Sequence, residues 1–121
     1  MITGINHVQI TVPPGNAERV RDFYGGLLQM PELQIPPALQ KFGLIWFKAG
    51  DREIHVGVEE NVNRLATHAH VAYQVADVAK WRQRLVEAGL ALVEQPKIAG
   101  YDRFHFTDPF GNRVEMIGHT G

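Results

Sequence analysis

THAHVAYQV, residues 67–75, alternates with a period of two. Val71, Tyr73 and Val75 share one face; His70, Ala72 and Gln74 share the other. This spacing predicts a half-buried strand. The same pattern stands near the start of the chain, in GINHVQITV, residues 4–12, where Val8, Ile10 and Val12 oppose His7, Gln9 and Thr11. Each stretch is followed by a helical pattern. After the first, Pro13-Pro14-Gly15 predicts a loop, and Asn16 is placed to cap a helix reaching about Leu28. Its apolar residues Val20, Phe23, Tyr24, Leu27 and Leu28 recur at helical spacing, and Gly25-Gly26 weakens its last turn. After the second, Asp77 caps a helix to about Gly89, with Val78, Trp81, Leu85 and Val86 on its apolar side.

Both halves then continue as strands. Residues 31–41 carry Pro31, Pro36 and Pro37 and predict a loop or a poor edge strand. Phe42–Ala49 and Glu53–Glu59 predict two strands around a turn at Gly50-Asp51. In the second half, a strand near Leu90–Glu94 precedes a loop at Gln95–Tyr101. Arg103–Thr107 and Arg113–Ile117 then flank the turn sequence Asp108-Pro109-Phe110-Gly111-Asn112. The order is βαβββ twice. The fold class is therefore α+β, with one module over about 1–62 and a second over about 63–121 of a single domain. His7 and His70 stand at matching places 63 residues apart, and His55 and Glu115 at matching places 60 apart.

Composition narrows the function. The chain has 121 residues, a net charge of −1 and 45% hydrophobic residues. No basic face is implied, so nucleic acid and an anionic membrane are not expected partners. There is no cysteine, which excludes disulfides, thiolate metal sites and Cys nucleophiles. No apolar run approaches the roughly 18–20 residues of a membrane span, and MITGINHVQ lacks the basic start and apolar core of a signal peptide. A cytoplasmic protein is expected, with its six histidines as carriers of chemistry. Alternation sets His7, His70, His55 and Glu115 opposite the apolar faces of their strands. For the histidines the alternative is a hydrogen-bonded imidazole in a metal-free binder. A carboxylate at Glu115 needs a cation, and Arg103 or Arg113 is the alternative to a metal. His68 shares a face with His70 and competes with it as a ligand; His119 falls in a tail expected to be solvated.

INHVQITV, RDFYGGLLQMPEL, HVAYQV and FTDPFGNRVEMI, in that order, resemble the vicinal oxygen chelate superfamily. It includes glyoxalase I, the fosfomycin-resistance transferases, bleomycin-resistance proteins and extradiol dioxygenases. The resemblance covers essentially the whole chain and implies two βαβββ modules curled into an incomplete-barrel cup. It implies a divalent metal, among Zn, Ni, Fe, Co and Mn, held by His7, His55, His70 and Glu115. It also implies Lewis acid chemistry on a small substrate with vicinal oxygens. Glu115 and His55 are the implied catalytic groups; Gln9, Trp46, Gln74, Arg103 and His105 are the implied substrate contacts. A homodimer is implied too, with modules exchanged so that His7 and His55 of one subunit meet His70 and Glu115 of the other. Three functions follow: a glyoxalase-like lyase or isomerase, a metal-free drug binder of the bleomycin-resistance type, or an Fe(II) extradiol dioxygenase. The sequence departs from glyoxalase I in carrying His55 where Glu is usual. It departs from the fosfomycin transferases at Gln9, where they carry Thr, and lacks their C-terminal Arg. His55 and His105 resemble the acid/base His and the Tyr of the extradiol enzymes, with His in place of Tyr.

Overall fold

The computed structural model describes residues 1–121. It divides into two compact units, Met1–Val62 and Asn63–Gly121. Unit 1 holds β1 (His7–Val12), helix α1 (Ala17–Val20), β2 (Glu32–Leu33), β3 (Ile45–Ala49) and β4 (Arg52–Val58). Unit 2 holds β5 (His70–Gln74), α2 (Val78–Glu87), β6 (Val93–Glu94), β7 (Tyr101–Thr107) and β8 (Arg113–His119). The sheets have the same order, β1-β4-β3-β2 and β5-β8-β7-β6. In each the first strand runs parallel to the last and the other pairs are antiparallel. The βαβββ repeat and the α+β class are thus present as expected.

In unit 1 the helix departs from expectation. Asn16 stands at its N-cap as expected, its carbonyl accepting from Val20 N at 2.9 Å, but its side chain makes no capping hydrogen bond. Its amide donates to the carbonyls of Pro13 (2.9 Å) and Pro14 (3.3 Å), and its oxygen accepts from Arg19 Nη1 (3.0 Å). These local side-chain bonds to the preceding loop compete with capping for the Asn side chain. Beyond Val20 the helix widens to a π form over Arg21–Leu27, where Leu28 N donates to Phe23 O at 2.9 Å. Phe23 and Tyr24 are both buried there. Phe42 is not a strand residue. It ends a 3-10 turn over Pro37–Phe42 and is 57% exposed, because Gly43 follows in a left-handed conformation (φ +69°) that breaks the chain before β3. Phe47, Ile45, Ile54 and Val56 form the buried face of this sheet.

In unit 2, Asp77 caps α2 by accepting from Lys80 N at 3.1 Å. Leu85 is fully buried, but Val86, expected on the same side, is exposed. The β7–β8 turn is organised by the buried Asp108. Its Oδ1 accepts from Phe110 N (2.9 Å) and Asn112 N (2.8 Å), and its Oδ2 from Asn112 Nδ2 (3.1 Å). This turn sets the hairpin register that pairs His105 with Glu115. β8 continues to His119, so the expected tail histidine lies in a strand, exposed, with its ring 4.7 Å from Tyr101.

Arg82 clamps α2 onto β6 and β7. It bonds Asp102 through Nη1 (2.6 Å) and Nη2 (2.5 Å), and Glu94 through Nε (3.1 Å) and Nη2 (2.8 Å). The Arg82 hydrogen bond holds the Asp102 carboxyl below the usual carboxylate range. A carboxylate that is more acidic when folded than unfolded stabilises the fold above about pH 4. That stability is lost as pH falls through the folded value. Asp102→Asn is therefore expected to lower Tm at pH 7 by up to about 4 °C. Thermal melts from pH 7 to pH 3 check it: the gap from wild type closes at acid pH.

Candidate metal centre

One face of the unit 2 sheet gathers the titratable residues. Register and alternation place His70 beside Arg113, and Glu115 beside His105. Glu115 is 4% exposed, a position where an unpaired carboxylate is costly. Its Oε1 meets three nitrogens: His105 Nε2 at 2.5 Å, His70 Nε2 at 3.2 Å and Arg103 Nη1 at 3.2 Å. Its Oε2 takes part in no hydrogen bond within the chain. Of the two arginines anticipated from sequence, Arg103 is the partner and Arg113 is not. Arg103 is anchored at its other side by Nε donating to Pro96 O at 3.1 Å.

The histidine tautomers carry information. His70 Nδ1 lies 3.0 Å from the carbonyl oxygen of His68, which can only accept. The proton therefore sits on Nδ1, and in the neutral ring Nε2 presents a lone pair to the Glu115 carboxylate. Two electron-rich atoms 3.2 Å apart need a proton or a cation between them. His68 thus supports His70 through its backbone, and its own ring is not in the cluster. His70, His105 and Glu115 offer ligand atoms all within 4.8 Å of one another. Two imidazoles and one carboxylate are a donor set that Zn, Ni, Fe, Co or Mn accepts. His105 Nδ1 is buried and without a partner. The residues present fit a divalent ion.

Unit 1 carries the register counterparts. Trp46 pairs with His55 as His105 pairs with Glu115. The rings of His7, His55 and Trp46 stack, at 4.0 Å and 15° for the first pair and 3.9 Å and 3° for the second. His55 is 6% exposed, and its Nε2 bonds Glu53 Oε1 at 2.9 Å. His7 Nδ1 lies 3.0 Å from Asn6 Oδ1, which leaves Nε2 as the available nitrogen, as in His70. Trp46 Nε1 is buried without a partner. Gln9 and Gln74 are exposed on the His7 and His70 faces of their strands. Glu53 was missed by sequence reasoning, although its position two residues before His55 places it on the same face. His105 was anticipated as a substrate contact, and the structure brings it to Glu115 directly.

Residues 4–116 match the Glyoxalase/Bleomycin resistance protein/Dioxygenase superfamily. The chain belongs to this superfamily. It is 40% identical to a protein from Bacillus anthracis assigned to the glyoxalase family, over 99% of this chain and 98% of that one, with a TM-score of 0.92. It has the fold of the fosfomycin resistance protein FosX from Listeria monocytogenes, solved with Mn(II) and sulfate ion. That match is 18% identical over 99% of this chain and 93% of that one, with a TM-score of 0.79. A glyoxalase/dioxygenase from Nostoc punctiforme is similar in fold to the same degree, at 18% identity, 98% and 92% coverage and a TM-score of 0.79. No curated protein matches the chain. No helix is long and apolar enough to cross a membrane.

Proposed function

We propose that the chain is a glyoxalase-like, divalent-metal-dependent enzyme acting on a small substrate with two adjacent oxygens. One observation carries this reading: His70 Nε2 and His105 Nε2 converge on Oε1 of the buried Glu115, while the other nitrogen of His70 is tied to a carbonyl. His70, His105 and Glu115 would hold the ion. When bound, it supplies Lewis acidity, polarising the substrate oxygens as negative charge develops.

The chain's own groups do the rest. The His68 carbonyl keeps the His70 ring in the ligating tautomer. Arg103 steadies Glu115 from one side. Oε2 of Glu115 is the atom free to take a proton from substrate, which makes Glu115 the proposed base. His55, oriented by Glu53, is the second acid/base group. Gln74 and Arg103 lie on the sheet face of Glu115 and are the proposed substrate contacts in unit 2, with Gln9 and Trp46 in unit 1. The resemblance adds His7 and His55 as ligands, and a homodimer; sedimentation of the purified protein tests the latter.

A second reading, an Fe(II) ring-cleaving dioxygenase, is favoured by the two-His-one-carboxylate composition of the cluster. Both readings meet one experiment. The untagged protein is offered Zn, Ni, Co, Mn and, without oxygen, Fe(II), then dialysed and assayed for metal beside His7→Ala and His55→Ala. About one ion per chain is expected, and loss in either variant makes that imidazole a ligand. Selective retention of Fe(II) moves the assignment to the dioxygenase. Retention of no ion overturns both readings and leaves the drug-binding alternative.

A further inference from the structure

His7, His55 and His70 each have one ring nitrogen tied to an acceptor. For His7 and His70 it is Nδ1, held by Asn6 Oδ1 at 3.0 Å and by the His68 carbonyl at 3.0 Å. For His55 it is Nε2, held by Glu53 Oε1 at 2.9 Å. A carboxylate oxygen only accepts, so the proton of the neutral His55 ring sits on Nε2 and the lone pair on Nδ1. His55 is therefore the opposite tautomer to His7 and His70. Glu53 is placed for this by register: it stands opposite His7 across the β1–β4 pair, two residues before His55 and on the same side of the sheet.

The ring planes add a second constraint. A metal–imidazole bond lies in the ring plane, because the nitrogen lone pair does. The His7 and His55 rings are stacked, with centroids 4.0 Å apart and planes 15° from parallel. Planes so nearly parallel do not meet within the roughly 2.0–2.1 Å of a metal–nitrogen bond. An ion in the plane of His7 therefore lies well out of the plane of His55. Unit 2 is the contrast. There the His70 and His105 planes are tilted by 47°, and both Nε2 atoms approach one carboxylate oxygen. His55 is also fixed in its stack. Trp46 covers its other face at 3.9 Å and 3°, and Glu53 holds its edge. His7 is exposed and is the ring of the pair open to an ion.

We infer that His55 stands outside the coordination shell of any ion held through His7, and that Glu53 is the positioning residue that keeps it there, with Nδ1 left as its basic nitrogen. This rests on the metal reading above for the ion. It departs from the resemblance, which implies both rings as ligands of one ion.

The test labels the histidines of the whole chain with nitrogen-15 and reads the tautomer of each ring from long-range proton–nitrogen spectra, with and without zinc. His7→Ala and His55→Phe assign the two rings by loss of their signals. Zinc is counted per chain after dialysis, and a thermal melt checks the fold of each protein. In wild type, His55 is expected to carry its proton on Nε2 in both states, while Nε2 of His7 moves to the zinc-bound range. Glu53→Gln, whose amide can also donate, is expected to shift a measurable share of His55 to the Nδ1 tautomer without loss of zinc. His55→Phe keeps a ring between Trp46 and His7 but no nitrogen. It is expected to hold zinc within about threefold of wild type, against the at least about 100-fold expected of a lost ligand. A His55 nitrogen in the zinc-bound range overturns the inference, as does zinc lost from folded His55→Phe. A wild-type His55 proton on Nδ1, or a tautomer that Glu53→Gln leaves unchanged, overturns the part of Glu53. Should His55→Phe fail to fold, the wild-type spectra decide by the same criteria. Wild type that retains no zinc counts against the metal reading; the tautomers of wild type and Glu53→Gln then decide the part of Glu53.

Discussion

Glu115→Gln is expected to weaken metal retention by at least about 100-fold while the protein stays folded. Gln keeps the shape and one carbonyl oxygen, so His105 Nε2 still has an acceptor at that place. It removes the charge that balances a dication and that Arg103 meets at 3.2 Å. Dialysis against a graded chelator, with metal counted per chain, reads the affinity; a thermal melt reads the fold. A melt close to wild type with metal lost separates the ligand role from a structural one. Metal retained in the variant would assign Glu115 to the pairing of Arg103 and no more.

Gly118→Ala is expected to be the most damaging single-methyl change in the chain. A Cβ at Gly118 would stand 2.3 Å from the carbonyl oxygen of Val75 and 2.9 Å from Val78 Cγ2. The first obstacle is backbone. It cannot swing aside without breaking the bond from Val75 N to Ile117 O, 2.9 Å long, that fixes the exit of β5. A cost of about 3 kcal/mol or more follows, read as a fall in the urea midpoint. Gly57→Ala is the contrast. There the nearest atom, at 3.0 Å, is the flexible Gln9 Nε2, and the expected cost is below about 1 kcal/mol.

The repeat was legible because alternation and turn chemistry agree in both halves. Asp77, Gly89 and the Asp108 turn each do what their residue types predict. Strand ends were less legible. THAHVAYQV alternates from Thr67, but the strand begins at His70, because Thr67 Oγ1 accepts from Ala69 N at 3.1 Å and turns the chain. The widened helix over Arg21–Leu27 has no sequence signal beyond its paired glycines. Of the candidate cluster, His70, Glu115 and the Arg103 partner could be named from alternation and charge. His105 at Glu115 could not be, because cross-strand pairing depends on hairpin register, which one residue more or less in the turn would shift. Glu53 was missed, although its spacing from His55 placed it on the same face.

The most direct test is anomalous diffraction from a crystal grown with Mn(II), with data collected where manganese absorbs strongly. A peak within coordination distance of His70 Nε2 and the Glu115 carboxylate is the predicted result. A map with no peak there, in protein shown to be folded and supplied with the ion, would contradict a metal centre on this sheet.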